Sequence, residues 1–240
     1  MKTYFNKRHF YPVVAGLVLM SITIMVQLSQ TGALKSVQQR MEWLAYDVRL
    51  KATLPEQNIP DPRIVIVDID EKSLKAEGRW PWSREKIARL VDKLFDNQVA
   101  VVGFDVLFAE PETNPAQRVL EKLSGPEKQR LSGALQNLMP QLDADAKLAA
   151  QLKGRNVVLG YTFRSGGDAV GQLPLSVQDA DDGGLQDSLI SAMPAYSANL
   201  PKLQQAARFG GFFDADLDED GILRRSPLLK RHNEIGRAHV

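Results

Sequence analysis

The sequence predicts an α/β fold: a mixed sheet with a parallel strand-helix-strand core, preceded by one transmembrane helix. Three observations carry that expectation. Near-continuous apolar runs occur at Ile64–Ile69, Val99–Phe104 and Val157–Phe163, and such runs suit strands covered on both faces. An amphipathic helical stripe lies between the first two, at Ile87, Leu90, Val91, Leu94 and Phe95. Before all of these comes an apolar stretch, Tyr11–Leu28, broken only by Ser21, Thr23 and Gln27.

Bulk properties narrow the function classes. In 240 residues, thirty basic side chains stand against twenty-nine acidic ones, so no strong field favours nucleic acid as a partner. The chain has no cysteine, which removes a disulfide framework, a thiolate metal site and a cysteine nucleophile together.

From the N-terminus, Lys2, Lys7, Arg8 and His9 precede the apolar stretch. A bilayer is crossed by about 20 apolar residues, and a basic flank stays cytoplasmic. Residues 1–10 are therefore expected in the cytoplasm, 11–28 in the inner membrane, and everything later on the periplasmic or extracellular side. The alternative is a cleavable signal peptide with its site near Thr31-Gly32-Ala33. Residues 29–53 continue as a stalk helix, where Leu34, Val37, Met41, Leu44 and Val48 alternate three and four apart. That is coiled-coil spacing over only two heptads, consistent with a homodimer seam or with docking on the following domain.

Pro55, Pro60 and Pro62 break the helix into a linker that opens the expected extracytoplasmic body, residues 54–233. Ser83 is placed to cap the helix that carries the apolar stripe, with Arg84, Lys86, Arg89 and Lys93 opposite. Strand, helix and strand over this interval form a parallel unit with a right-handed crossover. Residues Pro111–Pro140 are expected as short surface helices inserted in the sheet topology, and Asp143 as the cap of a helix through Leu152. Arg164–Gly184 reads as a mobile loop. Phe209–Phe213 and Ile222–Leu229 read as paired strands joined by an acidic loop. The last seven residues, 234–240, read EIGRAHV; they match the translation of a short-read sequencing adapter, so the expectation is a non-native tail on a chain cut near Asn233.

The candidate chemistry sits at strand ends and turns. Asp68 and Asp70 close the first expected strand, where carboxylates can hold Mg²⁺ and supply a nucleophile in phosphatases of the haloacid-dehalogenase type; Glu71-Lys72-Ser73 departs from that pattern, and Asp70 or Glu71 can instead cap a helix. Gly78-Arg79-Trp80-Pro81-Trp82 offers an anion-binding Arg79 and two stacking rings, Trp80 and Trp82; the other reading is a rigid plug that sets the entry of the next helix. Asp105 follows the second strand, at the carboxyl end where open α/β sheets bind ligands, and can equally cap a turn. Asp216, Asp218 and Asp220 before Gly221 resemble half a calcium loop, but Pro227 stands where the bidentate glutamate belongs. His9, His232 and His239 are too scattered for a catalytic site. No serine elbow, phosphate loop or dinucleotide fingerprint is present, so no cofactor is expected.

Taken together, several stretches resemble the second subfamily of CHASE domains, extracellular sensors of bacterial signalling proteins. They are Tyr46-Asp47-Val48-Arg49, the run Ile64–Leu74, Gly78–Arg84, Val102–Phe108, Gly210-Gly211-Phe212 and Asp218–Arg224. The insertion at Pro111–Pro140 departs from the pattern. The resemblance implies an N-terminal anchor, an outer sensor without catalytic activity, further membrane helices, and a cytoplasmic output that is most often a nucleotide cyclase. An unidentified small-molecule or envelope ligand is the implied partner. The rival classes are a Mg²⁺-dependent phosphatase using Asp68 and Asp70, and an envelope scaffold that binds another protein.

Overall fold

The computed structural model describes residues 7–28, 32–54, 60–175, 190–232 and 238–239. The chain divides into two compact units, Met1–Asp68 and Ile69–Val240.

In the first unit, α1 spans Lys7–Leu28 and α2 spans Gly32–Thr53. The side chains of α1 from Phe10 to Met25 are exposed. Among the described residues, no helix is long and apolar enough to cross a membrane. Along α2, Val37, Met41, Leu44 and Val48 form one exposed apolar face; the Leu34 side chain and the Thr31 cleavage site lie outside the described residues. The helix ends at Thr53, whose hydroxyl donates to the Arg49 carbonyl at 3.0 Å, two residues ahead of Pro55. Most of the proline linker (55–59) lies outside the described residues.

The expected first strand, Ile64–Ile69, is not a strand here. Its apolar side chains stand in the open, with Ile64, Val65 and Ile66 exposed at 73%, 78% and 89%. β-character is realised only when a neighbouring ladder accepts the backbone, and among the described residues the Ile64 N–H bonds locally, to the Asp61 carbonyl at 3.0 Å. The parallel core is built from other strands.

In the second unit, α3 (Glu71–Glu77) and α4 (Arg84–Asp96) come first. Ser83 caps α4, accepting from the Lys86 N–H, and Ile87, Ala88 and Val91 are its buried stripe. Strand β1 is only Val102–Phe104. The insertion holds α5 (Pro115–Lys122) and α6 (Gly125–Leu138), each with proline in its first turn, where a missing N–H costs nothing. Asp143 caps α7 (Ala144–Leu152) through the Ala146 N–H. Strand β2 (Val157–Arg164) follows, then β3 (Ala192–Met193), β4 (Ala195–Ser197), α8 (Pro201–Ala206), β5 (Phe209–Phe212), β6 (Lys230–His232) and β7 (Ala238–His239).

Strand β2 is the axis. Its first half pairs in parallel with β1, Val102 opposite Val157, and with β5, Val158 opposite Phe209. Its last residues pair antiparallel with β4, Thr162 opposite Ser197. A second sheet joins β3 and β6 in parallel and β6 and β7 antiparallel. The class is mixed α/β, and the parallel strand-helix-strand connection runs from β1 through α5–α7 to β2. Val157 and Leu159 bury one face of β2 against Ile87 and Val91 of α4, Leu148 and Leu152 of α7, Leu203 of α8 and Phe108. Beyond them Tyr161, Phe163 and Ala198 make a smaller cluster with Phe212, Met193 and Tyr196. Buried Asn199 fastens the two regions: its Oδ1 accepts the Phe108 N–H at 2.9 Å and its Nδ2 donates to the Gly160 carbonyl at 2.9 Å.

The expected hairpin of Phe209–Phe213 with Ile222–Leu229 does not form. Strand β5 uses its register on β2, and Ile222–Leu229 contains no strand. The acidic loop between them folds on itself, with the Gly221 N–H donating to the Asp218 carbonyl at 2.8 Å. Of the expected loop at Arg164–Gly184, residues 165–175 are described and hold bridges from Val170 to Ser197 and from Gln172 to Asn199. Of the expected non-native tail, residues 234–237 lie outside the described residues.

Candidate functional site

The acids that close the Ile64–Ile69 run do not converge. Asp68 is exposed at the end of the first unit. Asp70 is the N-cap of α3: its Oδ1 accepts from the Ser73 N–H at 2.8 Å and from the Ser73 hydroxyl at 2.6 Å. The hydroxyl, and then the backbone N–H, hold the Asp70 carboxyl below the ordinary carboxylate range.

The Gly78–Trp82 turn begins at Gly78, whose φ of 91° suits a residue without Cβ, and contains a cis Trp80–Pro81 bond. Trp82 packs against the core and its Nε1 donates to the Gly78 carbonyl at 2.9 Å. Trp80 meets Trp82 edge-on, ring centroids 5.8 Å apart, and Lys86 lies over the Trp82 ring at 5.5 Å. Lys86 also pairs with Glu77 at 2.9 Å, tying the end of α3 to α4. Arg79 is exposed. The next arginine, Arg84, reaches into the body. Its backbone N–H donates to Glu112 at 2.5 Å, its Nη2 to the Glu110 carbonyl at 3.1 Å and its Nε to Asp145 at 3.3 Å, with the guanidinium 4.5 Å over the Phe108 ring.

Asp105 lines a shallow hollow of about 340 Å³ on the sheet face away from α4 and α7, together with Gly103, Gly160, Gly211 and Phe213. Gly160 keeps this floor flat: a Cβ there would lie 2.5 Å from the Phe104 carbonyl oxygen and 2.7 Å from the Phe213 ring. Asp70, Arg79, Trp80 and Trp82 do not line it.

A larger cleft, about 710 Å³, opens beside Phe213 at the carboxyl ends of β2 and β5. Parallel strands leave ligand sites at these ends. One wall is Thr162–Gly166 from β2 and the turn after it, another is Phe213–Asp216 after β5, and the second sheet contributes Met193 and Lys230. Lys230 forms the base, its side chain 2% exposed, its ammonium 3.3 Å from Asp214 and 3.1 Å from Asp216 and 5.5 Å over the Phe212 ring. Asp214 also accepts the Phe163 N–H at 2.9 Å and the Thr162 hydroxyl. Burial, with the Asp214 charge nearby, pushes the Tyr161 phenol far above its usual value. Sequence reading missed this group: Lys230 sits in a polar C-terminal stretch with nothing to mark it as buried, and Asp214 reads as the start of a solvated turn.

The remaining acidic residues are held by a cation of the chain itself. Arg224 places Nη1 at 2.9 Å from Asp218 and 2.9 Å from Asp220, and Nη2 at 2.8 Å from Asp220. That guanidinium lowers the Asp220 carboxyl below its ordinary range. Among the described residues, no group of three or more His, Asp or Glu could hold a metal ion. Chemically, the open cleft is suited to binding: charged walls, an aromatic rim and a neutralised base. A family model described as the CHASE2 domain matches residues 17–239. No curated protein and no solved structure shows a match.

Proposed function

The chain belongs to the CHASE2 domain family, whose members are sensory domains, and from that premise we propose that it is the extracytoplasmic input segment of a membrane-bound bacterial signalling receptor. In this reading residues 1–10 are cytoplasmic, 11–28 cross the inner membrane, 29–53 form the stalk and 54–233 sense. The segment catalyses nothing itself; a ligand shifts the balance between two packings of the body, and the shift controls a cytoplasmic output domain, a nucleotide cyclase. The family match carries the sensory role. The basic residues Lys2, Lys7 and Arg8 ahead of the apolar stretch Tyr11–Leu28 support the orientation.

Fusions to alkaline phosphatase, which is active only outside the cytoplasm, test the topology. A fusion after Leu229 is expected to be active and one ahead of Tyr11 silent; a silent fusion at Leu229 overturns the reading. A cyclase domain encoded in the same gene is expected, and an output domain of another kind defeats the output assignment.

A second copy of the chain is the proposed partner of α2, since Val37, Met41, Leu44 and Val48 are exposed along one face at coiled-coil spacing. Sedimentation of the full chain in detergent is expected to show a dimer that Met41→Glu with Leu44→Glu converts to monomer. A monomeric parent would exclude the seam.

A further inference from the structure

We propose that the cleft between the two sheets of the second unit binds a small zwitterion of the amino-acid type, its carboxylate meeting Arg164 and its ammonium meeting Asp216; the inference rests on the sensory reading and supplies its ligand class. Four charged side chains line the cleft: Arg164, Asp214, Asp216 and Lys230. Lys230 and Asp214 are turned inward and neutralise each other, and Asp214 is further committed to the Phe163 N–H and the Thr162 hydroxyl. These two groups build the base.

One acid and one base remain toward solvent. Asp216 shares Oδ1 with Lys230 at 3.1 Å and is 63% exposed. Arg164 is exposed and uses Nη2 on the Asp168 carbonyl at 2.5 Å, and the guanidinium fork carries further donors for a carboxylate. Arg164 ends β2 and Asp216 follows β5, and these are neighbouring parallel strands. Phe213 and Met193 supply apolar wall for a side chain. The volume falls within the ~300–1,000 Å³ of small-molecule sites. A purely anionic ligand would meet Asp216, which shares its single cation Lys230 with Asp214, and a purely cationic one would meet Arg164. A zwitterion satisfies both through charge-assisted hydrogen bonds.

Calorimetric titration of the detergent-solubilised full chain with the standard L-amino acids, one at a time, tests the proposal. Each is compared with the amine that lacks its carboxylate and the acid that lacks its ammonium. At least one amino acid is expected to saturate, with both truncated analogues about tenfold weaker or worse, as the loss of one charged contact implies. Arg164→Ala is expected to weaken the amino acid about tenfold while leaving the amine unchanged, and Asp216→Asn to weaken it while leaving the acid unchanged. Both side chains are exposed, and Lys230 keeps its pairing with Asp214 in either variant, so the thermal melt is expected to stay in place. Absence of amino-acid binding, equal binding of an analogue, or unchanged binding in both variants would overturn the site. None of those outcomes alters the phosphatase-fusion result, so the site and the sensory topology fail separately.

Discussion

Replacing Lys230 by alanine is expected to destabilise the second unit by about 3–5 kcal/mol, the range seen when one partner of a buried ion pair is removed. Asp214, with a side chain 10% exposed, would lie against the aromatic cluster of Tyr161, Phe163 and Phe212 without the ammonium that offsets its desolvation. Lys230→Met would recover packing but leave the same carboxylate stranded. Adding Asp214→Asn to Lys230→Met is expected to restore most of the stability, because the amide can still accept the Phe163 N–H without a buried charge. Urea unfolding followed by circular dichroism reads all three variants at constant slope. A cost under about 1 kcal/mol for Lys230→Ala would mean that water reaches the pair and that it behaves as a surface contact.

Asp145→Ala is expected to cost a similar amount, about 3–5 kcal/mol. Its carboxylate joins three segments: Oδ1 takes the Arg84 Nε at the start of α4, Oδ2 takes the Glu112 N–H at 3.0 Å, and the residue itself lies in the first turn of α7. The two side chains of the pair are 14% and 8% exposed, and a negative charge in a first helical turn also meets the dipole favourably. The nearby Lys147–Glu85 pair joins the same two helices at 3.2 Å but lies at the surface. Lys147→Ala is therefore expected to cost under about 1 kcal/mol. Equal effects of the two substitutions in one urea series would show that the Arg84 network adds nothing beyond a surface pair.

Local chemistry was readable where the determinants are close in sequence. Ser83 and Asp143 cap their helices through residues three positions on, and the apolar stripe of α4 faces the core. The prolines of the insertion open α5 and α6. Strand β2 was readable because its apolar run is long enough to be covered on both faces. The same reasoning failed at Ile64–Ile69, which has equal β-character: in the structure no ladder meets that run, and side-chain pattern alone does not supply a neighbour. It failed again at Ile222–Leu229, since β5 pairs with β2 and the acidic loop is drawn onto Arg224.

The candidate site divides in the same way. Asp105 was placed at a strand end from the order of elements, and Asp70 was recognised as a possible cap from its distance to Ser73. The cleft at the carboxyl ends of β2 and β5 depends on a pairing that no local pattern encodes, Lys230 with Asp214 across 16 positions, and the body around it on Arg84 with Asp145 across 61 and Asn199 with Phe108 across 91. By itself the sequence determined the mixed α/β class, the helix caps and the family, because these depend on neighbouring residues and on the order of motifs. Which strands share a sheet, which acid is buried and where the cleft opens were decided only in the tertiary structure. Burial and charge compensation belong to distances in space, and the chain order does not contain them.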